Sequence, residues 1–333
     1  MSKKTFCSVN AIHFTAFLQL KRSLGYKYIM EETTLLTFDL FLLLQDQSCT
    51  ALSRETVEAW CAKRNHESDI TRYGRMICLI QFLYYLSDCG FKVPIPPLPK
   101  YPKSTFIPYI YSYDEIAAIF YGCDQVTLAC KNMYSSLFVM PCLLRMLYAT
   151  GIRIGEALSL KNENVNLIEK HLTLKATKNT KDRLVPFTDT LAAVCTDYQQ
   201  HRNALPVSGI DDPGRPFFVS LIGDPCKNGN IERWFRKVLI KAKIQFNSKG
   251  NGPRLHDIRH SFSCHSFTKL ANDGMDLYFS WPYLSTYLGH QSLRATEQYI
   301  RLTEQLHPEL VKDAERMYMD ILPNMINNPT QPS

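Results

Sequence analysis

The 333-residue sequence has no Cys-x-x-Cys pair, although it contains 11 cysteines scattered from Cys7 to Cys264. The odd number and wide spacing argue against a disulfide framework or a zinc site, so we expect reduced thiols in a cytosolic compartment. The apolar runs are too short to span a bilayer, and the amphipathic start lacks the continuous apolar segment of a signal peptide. The sequence therefore predicts a cytoplasmic protein without a membrane partner.

Two features of enzymes that use nucleotides or metal ions are also missing. The sequence contains no Gly-Lys-Ser/Thr phosphate-binding loop and no acidic cluster suited to holding a metal ion. We therefore expect that the protein needs no ATP, no metal and no other cofactor.

The charge of the chain is modestly basic, with a formal net charge of +7. Up to residue 108 there are 13 basic and 9 acidic residues, and beyond it there are 25 and 22. The smaller N-terminal part thus has the higher density of positive charge. This favours an anionic partner but does not identify it.

A proline-rich segment, residues 94–108, divides the chain and contains six prolines. Proline fixes φ and removes a backbone donor, so this segment reads as a stiff, extended linker. Residues 1–93 are predicted to form a small helical domain and residues 109–322 a mixed α/β domain. The tail, residues 323–333, is rich in Asn and Pro and is predicted to be disordered.

The periodicity of apolar residues predicts a mainly α protein with a small antiparallel β-sheet. Before the linker we expect helices near residues 11–23, 32–45 and 70–88, and one after a cap at Ser53. After the linker, Ser112 and Glu115 have capping-box spacing. Further helices are predicted at 114–121, 135–150, 154–160, 231–242, 256–270, 284–288, 292–302 and 308–322, with strands at 172–175, 183–185 and 217–221.

Six residues in fixed order provide the side chains that an attack on a phosphodiester requires. The charged transition state must be stabilised, the nucleophile must lose a proton and the leaving oxygen must gain one. Two guanidiniums, one ammonium, two imidazoles and one phenol meet these needs. They belong to Arg153, Lys178, His256, Arg259, His290 and Tyr299.

Arg153 and Arg259 are assigned to the non-bridging phosphate oxygens, because a guanidinium donates two parallel hydrogen bonds and keeps its charge. His256 lies three residues before Arg259, on the same face of a helix. Its near-neutral pKa suits a general base for the phenol.

Lys178 lies in the polar connection between the two predicted strands of a hairpin, from which it can protonate the leaving 5′-oxygen. His290 is expected to donate a hydrogen bond to the phosphate or to assist the leaving group. Tyr299 is expected to form the covalent phosphotyrosyl bond.

These residues stand in motifs that resemble the active site of tyrosine recombinases, the phage-integrase and Xer-like family. The resemblance covers residues 112–320, with Gly155 where a serine is usual and with extra residues at 278–283. The motifs are Thr150-Gly151-x-Arg153-x-x-Glu156, Arg183-Leu184-Val185-Pro186 after Lys178, His256-x-x-Arg259-His260, and Leu288-Gly289-His290 nine residues before Tyr299.

The resemblance implies a SAM-like helical core-binding domain that clamps DNA, followed by the catalytic domain of a mobile-element integrase or transposase. It implies double-stranded DNA as the partner, with a dimer on each site and a tetramer on synapsed DNA at the nucleoid. Accessory DNA-bending proteins are further candidate partners. No arm-binding domain is expected before the clamp. The helix at 308–322 is expected to dock either on its own domain or on a neighbouring protomer.

Residues around the six catalytic candidates receive supporting roles. Glu156 and Asp257 are expected to orient neighbouring Arg or His side chains, and His260 to support the site from behind. Contacts with DNA are predicted for Arg72, Arg75, Lys175 and Lys181; the first two could instead face solvent, and either lysine could replace Lys178.

Two other functions remain open from the sequence. A type IB topoisomerase shares the chemistry but relaxes supercoils as a monomer. A catalytically silent DNA-binding regulator would keep the fold without needing Tyr299.

Overall fold

The structure is a computed structural model that describes residues 5–45, 50–102, 107–127, 132–175, 182–245, 252–289, 299 and 301–303, the side chains of residues 277 and 278 excepted. The chain divides into two compact units, an N-terminal unit of Met1–Phe106 and a C-terminal unit of Ile107–Ser333. This division falls within the proline-rich segment, whose described residues are neither helix nor strand. The functions assigned to the two domains stay predictions.

The described part of the N-terminal unit is helical, as predicted. Its helices are α1 (Ala11–Ser23), α2 (Ile29–Leu44), α3 (Arg54–Cys61) and α4 (Asp69–Asp88). Ser53 and Ser68 begin α3 and α4, because each hydroxyl accepts a hydrogen bond from a backbone N–H of the first turn. The core between these helices is rich in aromatic rings, among them Phe14, Phe17, Phe38, Trp60 and Phe82.

The helices of the C-terminal unit surround a second core. They are α5 (Tyr113–Asp124), α6 (Met140–Thr150), α7 (Ile154–Leu158), α8 (Asp189–Asn203), α9 (Asn228–Lys241), α10 (Asp257–Asn272) and α11 (Leu277–Leu288). The predicted capping box begins α5: Ser112 Oγ accepts from the Glu115 N–H, and the Glu115 carboxylate accepts from the Ser112 N–H.

A small antiparallel sheet flanks these helices, with strand order β1 (Val165–Asn166), β2 (His171–Leu174) and β3 (Arg183–Pro186). Strands β2 and β3 form the predicted hairpin, in which Leu172 pairs with Val185 and Leu174 with Arg183. The connection at 176–181, which contains Lys178 and Lys181, lies outside the described residues.

The strand predicted at 217–221 is wrong, and the third strand is β1 instead. In the described chain, the 217–221 segment makes only an isolated bridge between Val219 and Pro225. Phe217, Phe218 and Val219 are all buried. An unbroken buried run is typical of a core segment and carries no period-2 strand signal.

Two helices differ from the predictions. α8 was not predicted, because its sequence is mostly polar and one of its four buried residues, Leu191, Cys195, Tyr198 and Arg202, is itself charged. α11 begins seven residues before the predicted start at 284 and contains Pro282 inside the helix. Proline usually interrupts a helix, so the sequence pattern predicted a late start.

Helix α10 is central to the C-terminal unit, where it packs against both α6 and α11. Most of its first three turns are buried. Tyr299 and residues 301–303 are helical, in agreement with the helix predicted at 292–302, while the predicted helix at 308–322 lies outside the described residues. Within the described chain, no helix combines the length and the apolarity that a membrane span requires.

Candidate active site

Arg153 lies at the junction between α6 and α7. Gly151 ends α6 with a φ of +60°, and a Cβ there would lie 2.2 Å from the ring of Phe262. This turn leads to Arg153, the residue that precedes α7. The Arg153 side chain is 28% exposed, so it remains accessible from solvent while Nη1 donates to Glu156 Oε1 at 2.9 Å.

Glu156 holds two arginines in place. Besides Arg153, it accepts hydrogen bonds from Arg183 Nη1 at 3.1 Å and Nη2 at 2.8 Å. Burial raises the pKa of the Glu156 carboxyl, but the hydrogen bonds from Arg183 and Arg153 outweigh burial and lower the pKa overall. Glu156 is thus hydrogen-bonded to both arginines, and its role in orienting them for catalysis stays a prediction.

Arg259 connects the ends of two helices. Its Nη1 donates to the Gly151 carbonyl at 2.7 Å and its Nη2 donates to the Leu288 carbonyl at 2.8 Å. Burial and the nearby Arg153 cation lower the pKa of Arg259 to about 10, so the group keeps its charge at neutral pH. The structure therefore brings the two predicted arginines into one site.

His256 precedes α10, and its side chain is exposed at the surface of this site. Partial burial of the ring and the positive charge of Arg259 lower the pKa of His256 below its usual value. The imidazole is therefore neutral at pH 7, as a general base requires.

Tyr299 is buried, with 2% of its surface exposed, and its hydroxyl lies 2.9 Å from Nδ1 of His260. The phenol also lies close enough to Arg259 that its negative charge would raise the pKa of that guanidinium. The predicted nucleophile thus lies within electrostatic range of the second arginine. His260, which the sequence predicted only as a supporting residue, contacts the phenolic oxygen itself.

Asp257 is fully buried and binds Arg254, accepting from its backbone N–H at 2.8 Å and from its guanidinium at 2.8 and 3.2 Å. Asp257 is the first residue of α10 and binds an arginine, and its orienting role in the site stays a prediction. Arg254 was not among the predicted residues.

Two of the six predicted catalytic residues cannot be placed. Lys178 and His290 lie outside the described residues, as does the predicted DNA contact Lys181. Lys175, the residue after β2, is described and forms an exposed ion pair with Glu163 at 3.4 Å. The described residues hold no group of three metal-ligating side chains.

The two arginines predicted on α4 both have partners inside the N-terminal unit. Arg72 Nε donates to the Cys61 carbonyl at 2.9 Å. Arg75 is 6% exposed; it donates to the carbonyls of Trp60 and Ala62 and forms an ion pair with Glu67 at 2.8 Å. Arg75 therefore has a structural role that the sequence prediction did not foresee. A contact between either arginine and DNA stays a prediction.

A basic face on α9 was missed. Four of its exposed side chains are basic, at intervals of three, one and four residues, whereas Ile231, Phe235 and Val238 on the opposite side are buried. The spacing of the basic residues along the helix predicted at 231–242 could have revealed this face. We call the exposed set Arg233, Arg236, Lys237 and Lys241 the α9 basic face.

The sequence and the fold both match known proteins. Residues 113–305, more than half of the chain, match the phage integrase family. The integrase/recombinase-like protein y4rB of Sinorhizobium fredii is 29% identical over 308 residues, which cover 91% of this chain and 96% of y4rB. The tyrosine recombinase XerD of Staphylococcus aureus is 29% identical over 219 residues, which cover 63% of this chain and 65% of XerD.

Among solved structures, a lambda integrase tetramer bound to a Holliday junction has a similar fold. The TM-score is 0.58 at 13% sequence identity, and the match covers 89% of this chain and 78% of the integrase. At this identity the likeness concerns the fold.

Proposed function

The chain belongs to the phage integrase family, and from this premise we infer that it is a site-specific DNA recombinase that cuts and rejoins DNA through a 3′-phosphotyrosyl intermediate. The observation that carries this proposal is the Tyr299 hydroxyl, which lies 2.9 Å from Nδ1 of His260, the residue next to Arg259, in a site that also contains Arg153 and His256. This arrangement unites a nucleophile, two phosphate-binding cations and a neutral imidazole.

The first step is an attack of Tyr299 on the scissile phosphate. Arg153 and Arg259 bind the non-bridging oxygens and stabilise the extra negative charge of the transition state. Both guanidiniums are already oriented, Arg153 by Glu156 and Arg259 by two helix-end carbonyls. Little reorganisation is then needed when charge develops, and this is the source of electrostatic catalysis.

Lys178 and His290 are proposed to act on the leaving 5′-oxygen and the phosphate. In the second step, the 5′-hydroxyl of the partner strand attacks the phosphotyrosyl bond and releases Tyr299. The covalent intermediate conserves the energy of the phosphodiester. The proposed reaction therefore uses no ATP and no metal ion.

Several basic side chains are proposed to bind the DNA backbone. The α9 basic face joins Lys175 and Lys181 of the hairpin in this role, because exposed cations on one helix face suit a line of phosphates. Arg72 remains a candidate on the N-terminal unit, since only its Nε has a described partner. Arg75 is the weaker candidate, because its guanidinium is buried and its donors are occupied.

Recombination between two sites needs more than one protomer. The lambda integrase that shares this fold is a tetramer bound to a Holliday junction, and we propose dimers on each site and a tetramer on synapsed DNA. Residues 308–322 are proposed to dock on a protomer surface. We further propose action at the nucleoid, in the cytoplasm, with accessory DNA-bending proteins as optional partners.

The alternatives are not favoured. The relatives of this chain are recombinases of the Xer type and an integrase/recombinase-like protein, which argues against a topoisomerase. A silent regulator would have no use for a tyrosine held in the same site as two phosphate-binding arginines.

The proposal is tested by trapping the protein on duplex DNA nicked near the scissile phosphate, so that the short fragment diffuses away and the adduct accumulates. Peptide mapping is expected to find the adduct on Tyr299. Tyr299→Phe abolishes the adduct but keeps DNA binding. Tyr287→Phe is the matched control, because Tyr287 packs against the same small cluster of buried residues as Tyr299. An adduct on another residue would refute the assignment.

A further inference from the structure

The Tyr299 hydroxyl has a buried histidine within hydrogen-bond distance. Nδ1 of His260 lies 2.9 Å from the phenolic oxygen, and the two ring centroids are 5.4 Å apart. His260 is 7% exposed and Tyr299 is 2% exposed. The pair is thus largely shielded from water, which strengthens a hydrogen bond and slows exchange of its proton with solvent.

The backbone of α10 explains why these two side chains meet. Consecutive residues of an α-helix project about 100° apart, so Arg259 and His260 face different neighbours. Arg259 faces the carbonyls of Gly151 and Leu288, and His260 faces Tyr299. One turn further along, Cys264 contacts the Tyr299 carbonyl, with Sγ 3.9 Å from the oxygen. Two points of contact along one helix therefore fix the ring of Tyr299 against His260.

The chemistry of the attack requires a proton acceptor at this place. A phenol has an ordinary pKa near 10 and is protonated at neutral pH, so it must lose a proton as it attacks phosphorus. A general base must lie about 2.6–3.2 Å from the oxygen that it deprotonates. His260 meets this requirement when its own proton is on Nε2, which leaves Nδ1 free to accept.

His256 lies beside this pair without taking its place. The rings of His256 and His260 meet edge to face, with centroids 4.9 Å apart at 89°. His256 is exposed, whereas His260 is buried. This arrangement suits phosphate binding by His256, in place of the general-base role expected for it from the sequence, and acceptance of the phenolic proton by His260.

We propose that His260 is a catalytic residue that takes the proton of Tyr299 during DNA cleavage, which deepens the proposed function and rests on it. As the bond from Tyr299 Oη to phosphorus forms, the Oη–H bond breaks and the proton moves to Nδ1 of His260. The bond from phosphorus to the 5′-oxygen breaks, and the 5′-oxygen takes a proton from Lys178. In the rejoining step the incoming 5′-hydroxyl returns a proton to Lys178, and the released phenol recovers its proton from His260.

The first experiment measures single-turnover adduct formation on the nicked DNA for full-length variants. His260→Asn keeps a polar atom near the position of Nδ1 but cannot accept a proton, and we expect a rate about 100- to 1,000-fold below wild type, the usual effect of losing a general base. His265→Asn is the matched control. His265 lies on the same helix and also places Nδ1 2.8 Å from a tyrosine hydroxyl, that of Tyr148. His265→Asn should react at a rate within about threefold of wild type, because no role in proton transfer is assigned to His265.

The second experiment distinguishes a role of His260 in proton transfer from a purely structural role. Replacing Tyr299 with trifluorotyrosine lowers the pKa of the nucleophile, so that a base is needed less. Trifluorotyrosine at position 299 should therefore raise the cleavage rate of His260→Asn by at least about tenfold more than it raises the rate of wild type. A substrate with sulfur in place of the 5′-bridging oxygen provides a good leaving group. It should rescue Lys178→Ala but not His260→Asn.

Three results would overturn the proposal. The first is a His260→Asn rate equal to wild type, and the second is a failure of trifluorotyrosine to rescue. The third is a rescue by the bridging sulfur, which would assign His260 to the leaving group. Unchanged DNA affinity of His260→Asn checks that the variant is folded, and His260→Gln serves in its place if it is not. A wild-type protein without an adduct on Tyr299 would instead contradict the proposed function itself.

Discussion

The guanidinium of Arg183 lies directly against Gly289, so that a Cβ added at residue 289 would meet its Nη1 at 2.8 Å and its Cζ at 3.0 Å. Arg183 also binds Glu156 with two hydrogen bonds, and Glu156 binds Arg153. A single arginine thus connects β3, the first arginine motif and the turn that leads to His290. The sequence motifs of the site are held together by this contact.

Gly289→Ala is expected to break this connection. Gly289 ends α11 with a φ of +65°, where a side chain costs about 1–2 kcal/mol, and the new methyl group also displaces Arg183. We expect adduct formation to fall about 100-fold, the usual cost of moving a catalytic group by an ångström. Gel-shift titration should show nearly unchanged DNA binding.

Substitutions at two other glycines distinguish backbone strain from displacement of Arg183 as the cause of that loss. Gly274 has a φ of +83° with nothing within 4 Å of an added Cβ, so Gly274→Ala tests backbone strain alone. Gly155 has neither positive φ nor a close neighbour, and Gly155→Ala should leave activity unchanged. A Gly289→Ala protein as active as Gly155→Ala would show that the position of Arg183 does not matter.

Glu156→Gln is expected to destabilise the C-terminal unit and to slow cleavage. The carboxylate is 10% exposed and Arg183 is 13% exposed, so removing the negative charge leaves two guanidiniums close together in a poorly solvated place. Breaking such a pair costs about 3–5 kcal/mol. Thermal unfolding followed by circular dichroism should show a large fall in Tm.

Glu163→Gln is the matched control for that change. Glu163 pairs with Lys175, but both side chains are at least 40% exposed, so the loss should be below about 1 kcal/mol. Equal effects of the two substitutions would mean that the Glu156 cluster contributes no more than a surface ion pair.

Local signals in the sequence predicted those parts of the fold that depend on neighbouring residues. Ser112 and Glu115 begin α5 as their spacing indicates, because a capping box is satisfied within one turn. The helix α8 was missed, since most of its residues are polar and one of its four buried positions is the charged Arg202. The third strand was misplaced because the pairing of Val165 with Leu172 depends on register within the folded sheet.

The candidate site shows the same difference between what local sequence signals predict and what depends on long-range packing. The arginines and Tyr299 could be identified because phosphate chemistry needs those side chains, whatever the backbone does. The pairing of His260 with Tyr299 joins residues 39 apart in sequence, and only the packing against α10 creates it. For Arg75, helical spacing could indicate the face of α4 on which the side chain lies. It could not indicate that the side chain is buried, because the burial depends on Glu67 and the end of α3.

The α9 basic face predicts a salt-dependent change in DNA affinity. Arg236→Gln removes one exposed cation, and we expect the slope of log affinity against log salt concentration to fall by about one. Fluorescence anisotropy with a duplex target at several salt concentrations measures this. Arg145→Gln removes the same charge from a guanidinium already bound to Asp124 at 2.6 Å, and should leave the slope unchanged. Equal slopes for wild type and Arg236→Gln would exclude α9 from the interface.

The lowered pKa of His256 predicts a loss of stability in acid. Burial and the Arg259 cation hold the folded-state pKa below the ordinary value of about 6.5. As the pH falls below that value, the unfolded chain binds a proton that the folded chain does not, so the free energy of unfolding decreases. His256→Gln should therefore lose less stability between pH 8 and pH 5.5 than wild type. Urea titrations at both pH values measure the difference, and because both proteins keep the other histidines, it isolates His256. An identical pH dependence in the two proteins would mean that DNA-free His256 titrates as an ordinary surface histidine.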